Sequence, residues 1–136
     1  MLAHKLLTLD YLQQSVDFKK KIYIAFSGGI DSSVLVDILG KNASKLNLNI
    51  TVIHVNHNIS SNSLTWMNHC KEFCSKLGLN FISEELNIVS SGGGIESAAR
   101  KARYKIFSKY LNNEEQILTA HHMNDVTETI FLRLLR

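Results

Sequence analysis

Apolar positions along this chain fall into two alternating rhythms. Leu2, Leu6, Leu9, Leu12 and Val16 recur at helical spacing, which predicts an amphipathic opening helix. Lys19–Lys21 then lead into Ile22-Tyr23-Ile24-Ala25-Phe26, a short apolar run expected as a buried strand. Behind it stand the polar Ser27-Gly28-Gly29-Ile30-Asp31-Ser32 and the helical run Val34–Leu39, with Gly40 as the expected C-cap. The unit recurs. Ile50–Val55 predicts a second strand, Asn56–Ser63 a polar loop, and Leu64–Leu77 a helix closed by Gly78. Leu79–Glu84 predicts a third strand, Ser90–Gly94 a loop, Ile95–Leu111 a helix and Gln116–Ala120 a fourth strand. Asn124 onward is expected as a further helix, and Ile130–Arg136 continues its pattern without a Gly, Asn or Pro to end it. Residues 1–136 are therefore expected to form an N-terminal domain that is truncated at its C-terminal end. Strands alternating with helices of this length predict an α/β fold, a Rossmann-like parallel sheet with helices on both faces. In such a sheet the loops that follow strands gather on one edge, where ligands bind.

Composition narrows the class. At 136 residues, 45% apolar and 20% charged, the chain has the makeup of one globular domain, which excludes disordered, collagen-like and coiled-coil architectures. Its 2 cysteines cannot build a disulfide framework, and no run approaches the roughly 18 apolar residues of a membrane span. A cytoplasmic protein with no membrane partner is the expectation. A net charge of +3 is too small to argue for nucleic acid by itself. Its distribution says more: Arg100, Lys101, Arg103, Lys105 and Lys109 follow one another with no acid among them. Proline is absent, so Gly, Ser and Asn must shape the loops.

The candidate chemistry starts at Ser27–Ser32. Gly28 and Gly29 can turn successive backbone N–H groups into one concavity, and the following helix adds its own free N–H groups and dipole. Ser27, Ser32 and Ser33 add hydroxyls. Asp31, out of place beside a phosphate, gains a role if it accepts loop N–H bonds or holds a Mg²⁺ that bridges phosphate oxygens. The loop lacks the Lys and the spacing of a Walker motif. On the neighbouring strand, His54 alternates with Ile53 and Val55 and is either a structural histidine or a ligand contact; His57, in the loop beyond, is the better-placed contact. On the third long helix, Ile95, Ala98, Ala99, Ala102 and Ile106 form the expected sheet-facing stripe, with Arg103 at its border and Arg100 on the exposed side. Phosphate or RNA contact suits both arginines. Lys101, Lys105 and Lys109 form a separate row that is either a solvated face or a contact. At the end of the fourth strand come His121 and His122, followed by Asp125 and Glu128 at i, i+3. Imidazoles and carboxylates so placed can hold Mg²⁺, move protons or orient an amine; the spacing does not suit zinc. Trp66, Cys70, Phe73, Cys74 and Leu77 share one helix face, so both thiols are expected in the core.

The loop Ser27-Gly28-Gly29-Ile30-Asp31-Ser32 resembles the pyrophosphate-binding loop of the N-type ATP pyrophosphatases, the PP-loop superfamily. With His54-Val55-Asn56-His57, Glu96-Ser97-Ala98-Ala99-Arg100, Arg103-Tyr104 and Leu118-Thr119-Ala120-His121-His122, the chain resembles the tRNA(Ile)-lysidine synthetase family. The resemblance implies an adenine nucleotide alpha-hydrolase-like fold. It also implies a ligase that adenylylates carbon 2 of the wobble cytidine of tRNA(Ile) and then joins free L-lysine to it, releasing pyrophosphate and AMP. By the same resemblance, residues 27–32 with His54 and His57 bind ATP, Asp31 and Asp125 hold Mg²⁺, and Asp31, His121, Asp125 and Glu128 are catalytic. Arg100 and Arg103 contact a tRNA(Ile) with a CAU anticodon, and a homodimer is allowed. Where the family commonly has two acids after the His pair, this chain has Asn124 before Asp125. The rival readings are another PP-loop enzyme, such as a tRNA thiolation enzyme or an amidotransferase synthetase domain, and a non-catalytic nucleotide-binding module.

Overall fold

The computed structural model describes residues 8–56, 62–86, 95–111, 115–122 and 130–135. Helix α1 (Leu9–Ser15) starts at Thr8, whose hydroxyl accepts the Tyr11 N–H as an N-cap. There follow β1 (Lys21–Ala25), α2 (Ile30–Asn42), β2 (Ile50–Asn56), α3 (Ser63–Lys76), β3 (Asn80–Glu85), α4 (Ile95–Tyr110), β4 (Glu115–His122) and β5 (Ile130–Leu135). The sheet order is β3-β2-β1-β4-β5. β1 pairs in parallel with both β2 and β4, and β3 runs parallel to β2. The apolar β1 is thus the central strand, covered on both faces as parallel strands must be.

Alternation along β1 divides the core. Ile22 and Ile24, with Phe26 beyond the strand, face Leu12, Leu35, Val36, Leu39, Cys70 and Cys74 of α1, α2 and α3. Tyr23 faces the other way, with Ile53, Ile117, Ile106 and Phe107 beneath α4. The α/β arrangement with helices on both faces is as expected. α1 is tied to the sheet by Gln116, which is 2% exposed. Its amide donates to the Asp17 carbonyl at 2.6 Å and accepts the Asp17 N–H at 3.3 Å.

Three expectations need correction. Gly40 is not a cap: α2 runs on to Asn42, and Gly40 is kept small because a Cβ there would lie 3.0 Å from Leu77. Gly78 does end α3, with φ of +70°, its N–H on the Ser75 carbonyl and the Leu79 N–H on that of Cys74, a Schellman closure. The sheet-facing stripe of α4 includes Phe107, 5% exposed, beside Ile106 and Ala102, so it is wider than the alanine row alone suggested. Finally, residues 130–135 are not helical but form β5, antiparallel to β4 with His122 opposite Ile130. A short, nearly all-apolar run is equally compatible with helix or strand by periodicity. Here it pairs the backbone groups that the outer edge of β4 would otherwise leave open.

Of the lysine row on α4, Lys101 and Lys105 are exposed, while Lys109 pairs with Glu84 at 3.4 Å. Glu84 also accepts the Tyr110 hydroxyl, and that hydrogen bond, with burial, pushes the Tyr110 phenol up to about 12. No helix among the described residues is long and apolar enough to cross a membrane.

Both cysteines are fully buried under α3, as expected, and burial pushes the Cys70 thiol up to about 11 and the Cys74 thiol up to about 12. Each stays protonated well above neutral pH, so neither supplies a reactive thiolate. Iodoacetamide at pH 8 is expected to leave Cys70 and Cys74 unmodified in the native protein and to alkylate both in urea, read by intact-mass spectrometry. Native-state labelling of either one would contradict the packing.

Candidate functional site

The chain leaves β1 at Ala25 and turns through Ser27-Gly28-Gly29 into α2. Phe26 anchors the turn three ways: its N–H donates to Ile53, its ring lies 5.4 Å from that of Phe73 on α3, and its carbonyl meets His54 Nδ1 at 2.8 Å. A carbonyl can only accept, so His54 carries its proton on Nδ1. The His54 ring is 3% exposed and stacks on Phe81. Of the two roles open to it, the structure supplies a structural one, as a brace under the loop on the sheet face of Ile24 and Val52.

Within the turn the serines bond to one another. Ser32 Oγ receives the Ser27 N–H at 3.2 Å and lies 3.0 Å from Ser27 Oγ, which in turn accepts the Gly29 N–H at 3.2 Å. Ser33 Oγ donates to the Gly29 carbonyl at 2.7 Å. Gly28 has φ of +89°, a backbone that disfavours side chains. It is also roofed by Trp66, whose indole would lie 2.7 Å from any Cβ placed there. The Trp66 Nε1–H donates to the Ser27 carbonyl at 2.8 Å.

The N-cap of α2 is Gly29, with no side-chain cap. Helix starts normally recruit a Ser, Thr, Asp or Asn oxygen for the first N–H groups. This one has no such side-chain oxygen, and the positive end of the helix dipole lies at the turn. Asp31 sits in that first turn, its Oδ1 shut off from solvent. One carboxylate beside a phosphate-shaped turn suits Mg²⁺, which is commonly held by one or two carboxylates plus substrate phosphates. Ile30, at the mouth, is 82% exposed.

Beside the loop opens a cavity of about 380 Å³ on the α4 side of the sheet. Ser27 and Ser32 form its loop end, Ala25, Ile53, Val55 and Thr119 come from the strand ends, and Arg103, Tyr104 and Phe107 of α4 close it. It lies where β1 has β2 on one side and β4 on the other, the crevice at which the strand order reverses. Arg103 is half-buried in its wall, beside the loop residues. Arg100 is on α4 and His121 on β4, with their side chains outside the described set. His57, Asp125 and Glu128 lie outside the described residues.

The sequence reading missed three residues. Trp66 was assigned to the buried face of its helix, yet it is 46% exposed and lies on the loop. Its position in the first turn after an active-edge loop was the available signal. Tyr104 lines the cavity next to Arg103, which its place one residue on from that arginine could have suggested. Thr119 carries a buried hydroxyl with no hydrogen bond among the described residues, and its strand position alone did not reveal this.

A parallel α/β sheet with an uncapped, glycine-lined turn at its switch point defines a phosphate-binding nucleotide domain. The chain belongs to the PP-loop domain family, which matches residues 3–136. It is 38% identical to the tRNA(Ile)-lysidine synthase of Legionella pneumophila across 100% of this chain and 31% of that protein. The Haemophilus influenzae enzyme of that name is 43% identical over 83% of the chain and 27% of its own length, and the Coxiella burnetii one 42% identical over 83% and 25%. The chain thus spans about a third or less of these relatives. Two solved structures share the fold. U34-tRNA thiolase NcsA from Methanococcus maripaludis has a TM-score of 0.61 at 24% identity, covering 79% of this chain and 38% of its own. An NH3-dependent NAD synthetase from Campylobacter jejuni has a TM-score of 0.57 at 17% identity, covering 79% and 49%.

Replacing Gly28 by Ala puts a side chain into a left-handed backbone and against the indole. Denaturant unfolding is expected to show a loss of about 1–3 kcal/mol. Unchanged stability would mean that the turn relaxes freely.

Proposed function

We propose that this chain is the ATP-cleaving part of a tRNA(Ile)-lysidine synthetase, which joins free L-lysine to carbon 2 of the wobble cytidine. The observation that carries this is 38–43% identity to lysidine synthases, supported by a Ser27–Ser32 turn that leads into a helix with no side-chain N-cap. The N–H groups of the turn and of the first turn of α2 take the β- and γ-phosphates, and the adenylyl end extends into the cavity. Cytidine O2 attacks the α-phosphorus, and the bond to the bridging oxygen breaks. Pyrophosphate stays on the loop, its charge met by backbone dipoles that need no reorganisation. The lysine ε-amine then attacks carbon 2, AMP departs, and the amine loses a proton. His121, Asp125 and Glu128 serve the lysine and that proton. Arg103, in the cavity wall, meets the tRNA at the reacting nucleotide, and Arg100 meets it further along α4. Asp31, with Asp125, holds Mg²⁺, which when bound neutralises phosphate charge.

The intact protein, given α-labelled ATP, tRNA(Ile) and lysine, is expected to release AMP and pyrophosphate and to incorporate lysine. ADP and phosphate would overturn the reading. AMP formed with sulfur or ammonia in place of lysine would move the protein to another branch of the PP-loop enzymes.

Asp31→Ala is expected to lower turnover by about 10²-fold or more. Its circular dichroism and Tm should stay unchanged. Undiminished lysine transfer would remove Asp31 from the machinery.

A further inference from the structure

We propose that Trp66 is a positioning residue that sets the Ser27–Gly28 peptide for phosphate binding, an inference that rests on the Ser27–Ser32 turn being the phosphate site. The C=O and N–H of a trans peptide point in opposite directions. Because the indole N–H holds the Ser27 carbonyl at 2.8 Å, the Gly28 N–H of the same peptide points away from the ring. That N–H has no partner among the described residues, whereas those of Ser27 and Gly29 are engaged by serine hydroxyls. Of the Ser27, Gly28 and Gly29 N–H groups, it is the one left for a ligand among the described residues.

Glycine makes this orientation insecure on its own. A residue without Cβ tolerates rotation of the preceding peptide at little steric cost. A rotated Ser27–Gly28 peptide would aim a carbonyl oxygen, rather than an N–H, at the anion. The Trp66 hydrogen bond opposes that rotation, and the ring fills the space over Gly28. The ring in turn stacks on His69 one helical turn along, centroids 5.3 Å apart and planes 21° from parallel. α3 itself is fixed by Phe73 against Phe26 and by Cys70 and Cys74 in the core. A residue remote in sequence, on a different helix, therefore governs the polarity of the turn. Its half-exposed indole is also the only tryptophan in these 136 residues.

The test uses the intact protein and its Trp66→Phe variant, with ATP, pyrophosphate and AMP as separate calorimetric probes. Phe keeps an aromatic ring over Gly28 and removes the N–H. Affinity for ATP and pyrophosphate is expected to fall on the order of five- to tenfold. Affinity for AMP, which lacks the pyrophosphate, and the Tm should hold. Wild-type emission minus that of the variant should change saturably as pyrophosphate is added. Equal pyrophosphate affinity in both proteins would overturn the proposal, as would an equal loss for all three ligands with a lowered Tm, which marks a merely structural role. If the variant does not fold, wild-type emission unmoved by saturating pyrophosphate overturns it. A wild type that binds neither ATP nor pyrophosphate would instead sink the phosphate-site reading itself.

Discussion

The backbone between Phe26 and Ile30 is held by its neighbours so that it need not hold itself. β2 contributes the Ile53 carbonyl and His54, α3 contributes Phe73 and Trp66, and α2 returns the Ser32 hydroxyl to the Ser27 N–H. Every one of these contacts fixes a carbonyl, a ring or an N–H at the base of the turn, and none caps the start of α2. The result is an ordered turn leading into a helix whose N-cap has no side-chain hydrogen bond, with the Asp31 carboxylate in its first turn. Such an arrangement costs stability when empty and favours an anion when one arrives. The position of β1 beside β2 matters here, because β2 supplies both the Ile53 carbonyl and His54 to the base of the turn.

The sheet and its helices were legible because their physics is local. β1 and β2 are largely apolar and rich in β-branched residues, as strands covered on both faces are, and α3 announces its end with a glycine. The turn was legible for the same reason: Ser-Gly-Gly stands between a strand and a helix, where the structure puts a turn with Gly28 at positive φ. What escaped was set by tertiary contact. The indole of Trp66 has the hydropathy of a core residue, and its place after an active-edge loop hints at the contact with Gly28 that the fold makes. Gly40 resembles a cap until Leu77 is seen against it. β5 escaped because an apolar run at a sheet edge takes its state from the unpaired strand beside it, which periodicity does not record.

His54 illustrates a finer limit. Its alternation with Ile53 and Val55 showed correctly that it lies on the opposite face of β2 from those two residues, which line the cavity. The sequence could not show that the loop's own base, the Phe26 carbonyl, would be waiting on that face. A histidine at a ligand-binding edge can serve the ligand by bracing the backbone that touches it, and motif spacing is blind to the difference. The same holds for Trp66, where a hydrogen bond to a carbonyl decides which way a neighbouring N–H points.

The two faces of the sheet consequently do different work. Beneath α1, α2 and α3 one buried cluster runs from Leu12 to Cys74 and takes in Phe26 at the base of the turn. Beneath α4 the packing thins toward the strand ends, and the space between Phe107, Tyr104, Arg103 and the sheet is the cavity. The turn is thus braced from the closely packed face, while the open space beside it lies on the face lined by Arg103, Tyr104 and Phe107. A domain so divided can keep one phosphate chemistry and vary its acceptor. On the function proposed above, what selects the acceptor belongs to the α4 face of the cavity, and the turn itself, built of glycine, serine and backbone around Ile30 and Asp31, carries little information about it.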